Sequence, residues 1–193
     1  MEWQAPAVVL DIRPHGDSGV VVSLLTEAHG RHAGLAKGGA SRAQAALWQP
    51  GNLVEARWVA RLAEQLGAVS GELVHAAAAL AMEDPLALAM LRAATAVADG
   101  ALPEREPHPR IFHGLVALIA TLARGPEPAL PDLVRWEADL LAELGYGLDL
   151  GRCAVSGTTE DLRWVSPRSG RAVSEAAAGA WRDRLLPLPA FLL

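Results

Sequence analysis

Over residues 1–76 the apolar positions recur every second residue, and beyond that they recur at helical spacing. Residues 7–12 (Ala-Val-Val-Leu-Asp-Ile) and 20–26 (Val-Val-Val-Ser-Leu-Leu-Thr) are apolar and rich in β-branched side chains, which predicts two strands. Residues 13–19 between them are a turn cluster holding Pro14, Gly16 and Gly19. Residues 31–36 alternate polar and small apolar side chains and read as a third strand. In residues 53–62, Val54, Ala56, Trp58, Ala60 and Leu62 fall on one face and Glu55, Arg57 and Arg61 on the other, the mark of a half-buried strand. Residues 66–73 form a weaker fifth strand, interrupted by Gly67 and Gly71. A short helical turn at 42–48, ended by Pro50-Gly51, connects the third strand to the fourth. Five short strands with that connection suit a small closed barrel. An OB-fold has this order, and the pattern leaves an SH3-like barrel open.

From residue 74 alanine and leucine dominate. Asp84-Pro85 is a helix start, with Asp84 as cap and Pro85 in the first turn, and the predicted helix runs to about residue 98. Residues 102–109 hold three prolines and read as a linker. A helix over 110–124 carries Ile111, Leu115, Leu118, Ile119 and Leu122 on one stripe. Residues 125–128 (Gly-Pro-Glu-Pro) are expected to stop it, and a further helix is predicted over 131–144. Residues 152–173 are polar and turn-rich, with strand-like pieces at 162–165 and 171–173. A last helix is predicted over 174–186, and the apolar, uncapped end after it suggests a further helical segment beyond residue 193. The expected fold class is therefore α+β. Residues 1–76 are expected to form a small barrel, OB-fold or SH3-like, and residues 77–193 a mainly helical domain with a small β segment at about 150–174.

Charge changes this picture locally. The formal net charge is −5, which does not suit a strongly basic binder. Residues 31–61, however, hold Arg31, Lys37, Arg42, Arg57 and Arg61 against the single acid Glu55, a local excess of +4. Lys37 is the one lysine of the chain and stands in a glycine-rich loop (Gly34, Gly38, Gly39). A basic loop next to outward-facing arginines is a place for a polyanion backbone to lie. Stacking partners for bases are few: Trp48 and Trp3 are the candidates, while Trp58 falls on the apolar face and is expected in the core. Weak, salt-sensitive, sequence-independent binding is the expectation.

Other chemistry finds little support. There is no Gly-x-Ser-x-Gly elbow and no phosphate-loop pattern, so nothing points to an enzyme. His29 and His32 are three residues apart, but no Cys, Asp or Glu stands beside them at ligand spacing, and no metal is expected there. The lone Cys153 excludes an intramolecular disulfide and fits a reducing, cytoplasmic setting. No signal-peptide pattern and no stretch of about 18 uncharged apolar residues is present, so no membrane role is expected.

Several short motifs, in order, resemble one bacterial family. They are Val8-Val9-Leu10, Leu24-Leu25-Thr26-x-x-x-Gly30-Arg31, Gly34-Leu35-Ala36-Lys37-Gly38 and Leu47-x-Gln49-Pro50-Gly51. Leu144-Gly145-Tyr146-Gly147-Leu148-Asp149-Leu150-x-x-Cys153 and Leu186-Pro187 complete the series. Through their order and spacing over nearly the whole chain, the sequence resembles the RecO family of DNA repair and recombination mediators. The resemblance implies an OB-fold domain, a helical domain and a zinc-ribbon-like insertion. It implies binding of single- and double-stranded DNA, strand annealing, and loading of RecA on strands covered by single-stranded-DNA-binding protein. RecR is the implied partner, the helical domain is implied to dock the C-terminal tail of the single-strand-binding protein, and the implied location is cytoplasmic and nucleoid-associated. Arg31, Lys37 and Arg42 match the family's basic barrel residues by position, whereas Arg57 and Arg61 come from strand alternation. Many family members carry two Cys-x-x-Cys pairs in the insertion. Here only Cys153 is kept: Ser156 takes the second position, and Ser174 and Ala177 stand near the other pair. One thiolate does not complete a tetrahedral zinc site, so neither zinc nor another cofactor is expected. The alternative reading is a protein-interaction module with the barrel as docking domain and the basic strip incidental.

Overall fold

The computed structural model of the chain describes residues 1–62 and 65–193. Its elements are β1 (Glu2–His15), β2 (Gly19–Thr26), β3 (Gly30–Ala36), α1 (Arg42–Ala45), β4 (Leu53–Val59) and β5 (Gly67–His75). They continue with α2 (Ala77–Ala81), α3 (Pro85–Ala101), α4 (Pro109–Leu122), α5 (Pro126–Glu143), β6 (Leu162–Val165), β7 (Ala172–Ser174), α6 (Glu175–Ala178) and β8 (Leu186–Pro187). The architecture is α+β, with five N-terminal strands followed by helices. The chain divides into two compact units, Met1–Leu133 and Val134–Leu193, so the first unit holds α2, α3 and α4 as well as the strands.

In the first unit the strands close into a barrel in the order β1-β2-β3-β5-β4. β1 serves two neighbours. Its first half pairs antiparallel with β4 (Glu2↔Val59 to Val8↔Leu53), and its second half pairs with β2 (Ala7↔Thr26 to His15↔Gly19). The register shifts between Val9 and Asp11, a bulge that lets one strand bend across both partners. The ring closes through a short parallel pairing of β3 with β5, Gly34↔Gly67 and Leu35↔Ala68. Both glycines are needed where Trp58 packs. A Cβ on Gly67 would lie 2.3 Å from the Trp58 ring, and one on Gly34 would lie 3.0 Å from it.

The core follows the period of two. Ala7, Val9, Val20, Val22, Leu24, Val54, Ala56, Trp58 and Val69 fill the barrel together with Leu47 and Trp48 from the α1 connection. The alternate residues Val8, Leu10 and Leu25 are buried as well. α3 packs on β1 and α4 on β2, so these strands have both faces covered and read as continuous apolar runs. Asp84 caps α3 by accepting from the amides of Leu86 and Ala87, as its position before Pro85 predicts. Asn52 ties this assembly together. Its side chain donates to the carbonyls of Ala46 and Leu47 and accepts from the amide of Ala78, at 2.9, 3.2 and 3.1 Å.

In the second unit, β7-β6-β8 form a three-stranded sheet over a small core of Cys153, Leu162, Val165, Ala172, Val173, Ala178 and Leu188. Two expectations need correction. α5 begins at Pro126, five residues before the predicted start. Pro126 and Pro128 occupy the first turn, where amides lack partners anyway, and only Pro131 removes a helical bond. The long helix predicted over 174–186 is not there. Ser174 ends a strand, α6 is one turn, and Gly179 at φ +45° redirects the chain into a 3-10 turn (Gly179–Arg184).

Candidate nucleic-acid interface

The five basic residues do not share one environment. Arg31 points out of β3 but is mostly buried. Its Nε donates to the Leu102 carbonyl at 2.8 Å, and its guanidinium lies 3.6 Å from both Asp99 and Glu104. Asp99 also accepts from the Ser23 hydroxyl, and the Arg105 amide donates to the Arg31 carbonyl at 2.7 Å. Arg31 therefore clasps β3 to the end of α3 and to the segment after it.

Lys37 and Arg42 are exposed, and no ion pair engages either among the described residues. Lys37 opens the turn after β3, where Gly38 takes φ +69°, a conformation that favours glycine. Arg42 is the first residue of α1. Arg57 is exposed on β4 and pairs with Glu2 of β1 at 2.6 Å. An exposed pair of this kind contributes little to stability, so its arginine is open to exchange. Arg57 is opposite Ser70 of β5, and β5 lies between β4 and β3. That places Arg57 and the end of β3 two strands apart, about 10 Å at ordinary strand spacing. The same outward face carries Glu55 opposite Glu72, which bounds the basic strip. Arg61 is not on a strand: β4 ends at Val59, so its alternation with Arg57 stops there.

The stacking candidates also move. Trp48 is buried in the barrel core and offers no surface to a base. Trp3 is half-buried in a stack of rings: it lies 6.0 Å from Trp58 and 4.7 Å from His29, nearly parallel to both. His32 meets Trp3 and Trp58 edge-on at 5.4 and 4.7 Å. Trp58 is in the core, as its face predicts, and its Nε1 donates to the Ala33 carbonyl. Trp3, His29, His32, Trp58 and Arg105 line a cavity of about 280 Å³ at this end of the barrel. Neither ring nitrogen of His32 completes a hydrogen bond.

Both imidazoles are held below their ordinary pKa of 6.5 by burial. For His32 the nearby Arg105 and His29 add to this, while the His29 backbone and Glu104 act against it. An unfolded chain therefore takes up these protons at a higher pH than the folded one. Stability from the neutral rings is fully present above pH 6.5 and declines as the pH falls below it. The urea midpoint should drop between pH 7.5 and 5.5, and His32→Phe should flatten that drop. An equal drop in both proteins would remove His32 as its cause.

In the second unit the Cys153 thiol is buried. Its sulfur accepts from the amides of Ser156 and Ser174 at 3.4 and 3.3 Å, with the Ser174 hydroxyl at 3.5 Å. Burial opposes the thiolate, but these hydrogen bonds outweigh it and bring the pKa down to about 6. One sulfur with two serines does not fit a structural zinc ion. Among the described residues no group of three or more His, Cys, Asp or Glu could hold a metal, and no helix is long and apolar enough to cross a membrane.

Comparison with known proteins adds the lineage. Residues 1–77 match the family model described as Recombination protein O N terminal, and residues 82–193 match Recombination protein O C terminal. The whole chain is 59% identical to the DNA repair protein RecO of Gluconacetobacter diazotrophicus, covering 78% of that protein. It is 61% identical to the RecO of Acidiphilium cryptum, covering 76%, and 56% identical to that of Granulibacter bethesdensis, covering 77%.

Proposed function

Starting from the fact that the chain belongs to the RecO family of DNA repair proteins, we propose that it is a non-enzymatic mediator of recombinational repair, with the barrel of residues 1–76 as its DNA-binding domain. We read the barrel as an OB-fold. The strand order β1-β2-β3-β5-β4, with its closing parallel β3–β5 pair, supports that reading. The DNA track consists of Lys37, Arg42 and Arg57, extended by Arg61 in the following loop. Arg31 supports it from beneath by fixing β3. The observation that carries the reading is the unpaired, exposed Lys37–Arg42 connection beside the barrel face that bears Arg57.

Backbone contacts without base readout suit a protein that anneals complementary strands and leaves sequence to pairing. In this reading the protein binds single- and double-stranded DNA and works with RecR to load RecA on strands covered by single-stranded-DNA-binding protein. It does so in the cytoplasm, at the nucleoid. Residues 77–193 form the helical domain that receives that protein's C-terminal tail. A purely protein-docking role is the second reading, favoured by the exposed apolar run Leu73, Val74, Leu80, Met82 and Leu86.

The test is fluorescence anisotropy with a labelled single-stranded oligonucleotide over a salt series. Affinity should fall steeply with salt. Lys37→Glu with Arg42→Glu should weaken binding about tenfold or more and lower the salt slope by about 1 to 1.5. Absence of saturable binding by the unmodified chain at low salt would leave only the docking role.

A further inference from the structure

The C-terminal unit carries a surface that the acidic balance of the helical part conceals. Residues 150–193 hold six arginines (Arg152, Arg163, Arg168, Arg171, Arg182 and Arg184) against four acids (Glu160, Asp161, Glu175 and Asp183), a net +2. Two of these acids, Asp161 and Glu175, are engaged by arginines, and Asp149 just before the stretch engages a third arginine. Arg163 pairs with Asp161 at 2.7 Å and Arg182 with Glu175 at 2.9 Å, while Arg171 pairs with Asp149 at 3.1 Å. Arg168 and Arg184 have no acidic partner among the described residues, and both line one cleft of about 420 Å³. The other walls are mainly apolar (Val155, Val173, Leu185 and the indole of Trp181), with Ser166 and Ser169 among them. Trp181 is 62% exposed, and Arg184 lies over its ring at 5.3 Å.

An exposed tryptophan of this kind needs a reason. The other tryptophans described above are buried or stacked within the protein, and a solvent-facing indole in an apolar cleft usually marks a binding surface. Three features of the cleft point to the same class of ligand. The flat indole with a guanidinium above it is a stacking platform for a base. The apolar floor accepts the face of a base, and the Arg168 and Arg184 guanidinium groups, neither paired with an acid among the described residues, match a phosphate. We propose that this cleft is a second contact for single-stranded DNA, taking one nucleotide with its base against Trp181 and its phosphate at Arg168 and Arg184. The inference rests on the DNA-binding reading above but uses none of the barrel residues. It also places base stacking, absent from the barrel face, in the unit that the family's zinc-ribbon-like segment occupies.

Oligo-dT carrying 5-iododeoxyuridine, photo-crosslinked to the full chain and mapped by peptide mass spectrometry, tests it. The expected crosslink is at Trp181. Trp181→Ala should abolish that crosslink and weaken binding about tenfold, and Arg168→Glu should weaken it without changing the circular dichroism. Both positions are on the surface, so the folded state should survive the changes. Crosslinks confined to residues 1–76, with unchanged affinity in Trp181→Ala, would overturn this contact and leave the DNA-binding reading standing. Unchanged DNA affinity in both variants together with specific binding of an acidic peptide at the cleft would overturn it too. No crosslink and no saturable binding at low salt would overturn both.

Discussion

Asn52→Ala should destabilise the first unit by about 3 kcal/mol, seen as a lowered urea midpoint and a melting temperature lower by about 10 °C. The Asn52 side chain is 2% exposed and is the shared partner of two loop carbonyls, Ala46 and Leu47, and one helix amide, Ala78. Removing it leaves three buried polar groups without that partner, each costing about 1–3 kcal/mol before relaxation. The effect exceeds that of a surface change because water cannot replace what is lost. Asn52→Asp keeps an acceptor for Ala78 but sets a buried carboxylate oxygen against the Ala46 and Leu47 carbonyls, so it should destabilise at least as much as Asn52→Ala at neutral pH. A loss below about 1 kcal/mol in Asn52→Ala would mean that the loop, not the side chain, holds α2 in place.

Gly30→Ala should cost about 3 kcal/mol or more and should loosen the segment after α3. Gly30 has φ +62°, and a Cβ there would lie 2.0 Å from the Glu106 carbonyl oxygen and 2.5 Å from its carbon. The left-handed backbone alone costs an L side chain about 1–2 kcal/mol. The clash adds to it, because backbone cannot rotate aside as a side chain would. The Arg31 clasp follows directly in sequence, so its contacts with Leu102, Asp99 and Glu104 should open with the segment. Amide exchange over residues 102–106 should accelerate in the variant, with little change in β4. Unchanged exchange there, with stability intact, would show that the segment moves aside at no cost.

The alternation of residues 53–59 and the β-branched run of 20–26 were legible as strands because a half-buried strand writes its two faces into the chain. The core position of Trp58 and the Asp84 cap were legible for the same local reason. The β3–β5 closure was not legible. It rests on two glycines that make room for Trp58, and nothing local announces a neighbour from another strand. Residues 2–6 join β1 only through their pairing with β4, so their weak pattern carried no strand signal.

The candidate site divides along the same line. The excess of arginine and lysine over residues 31–61 is a property of the sequence, and it directed attention to the barrel. Only tertiary structure separated Arg31, committed to Asp99, Glu104 and the Leu102 carbonyl, from Lys37 and Arg42, which face solvent. It also moved Trp48 into the core and left Trp181 exposed. Composition and spacing determine which side chains a segment carries and the period with which they recur. What each side chain meets is decided by chain segments distant in sequence. Residues 99, 102 and 104 surround Arg31, and a turn at Gly179 precedes the exposed Trp181. A charge is available to a phosphate only where folding has not committed it to a buried partner.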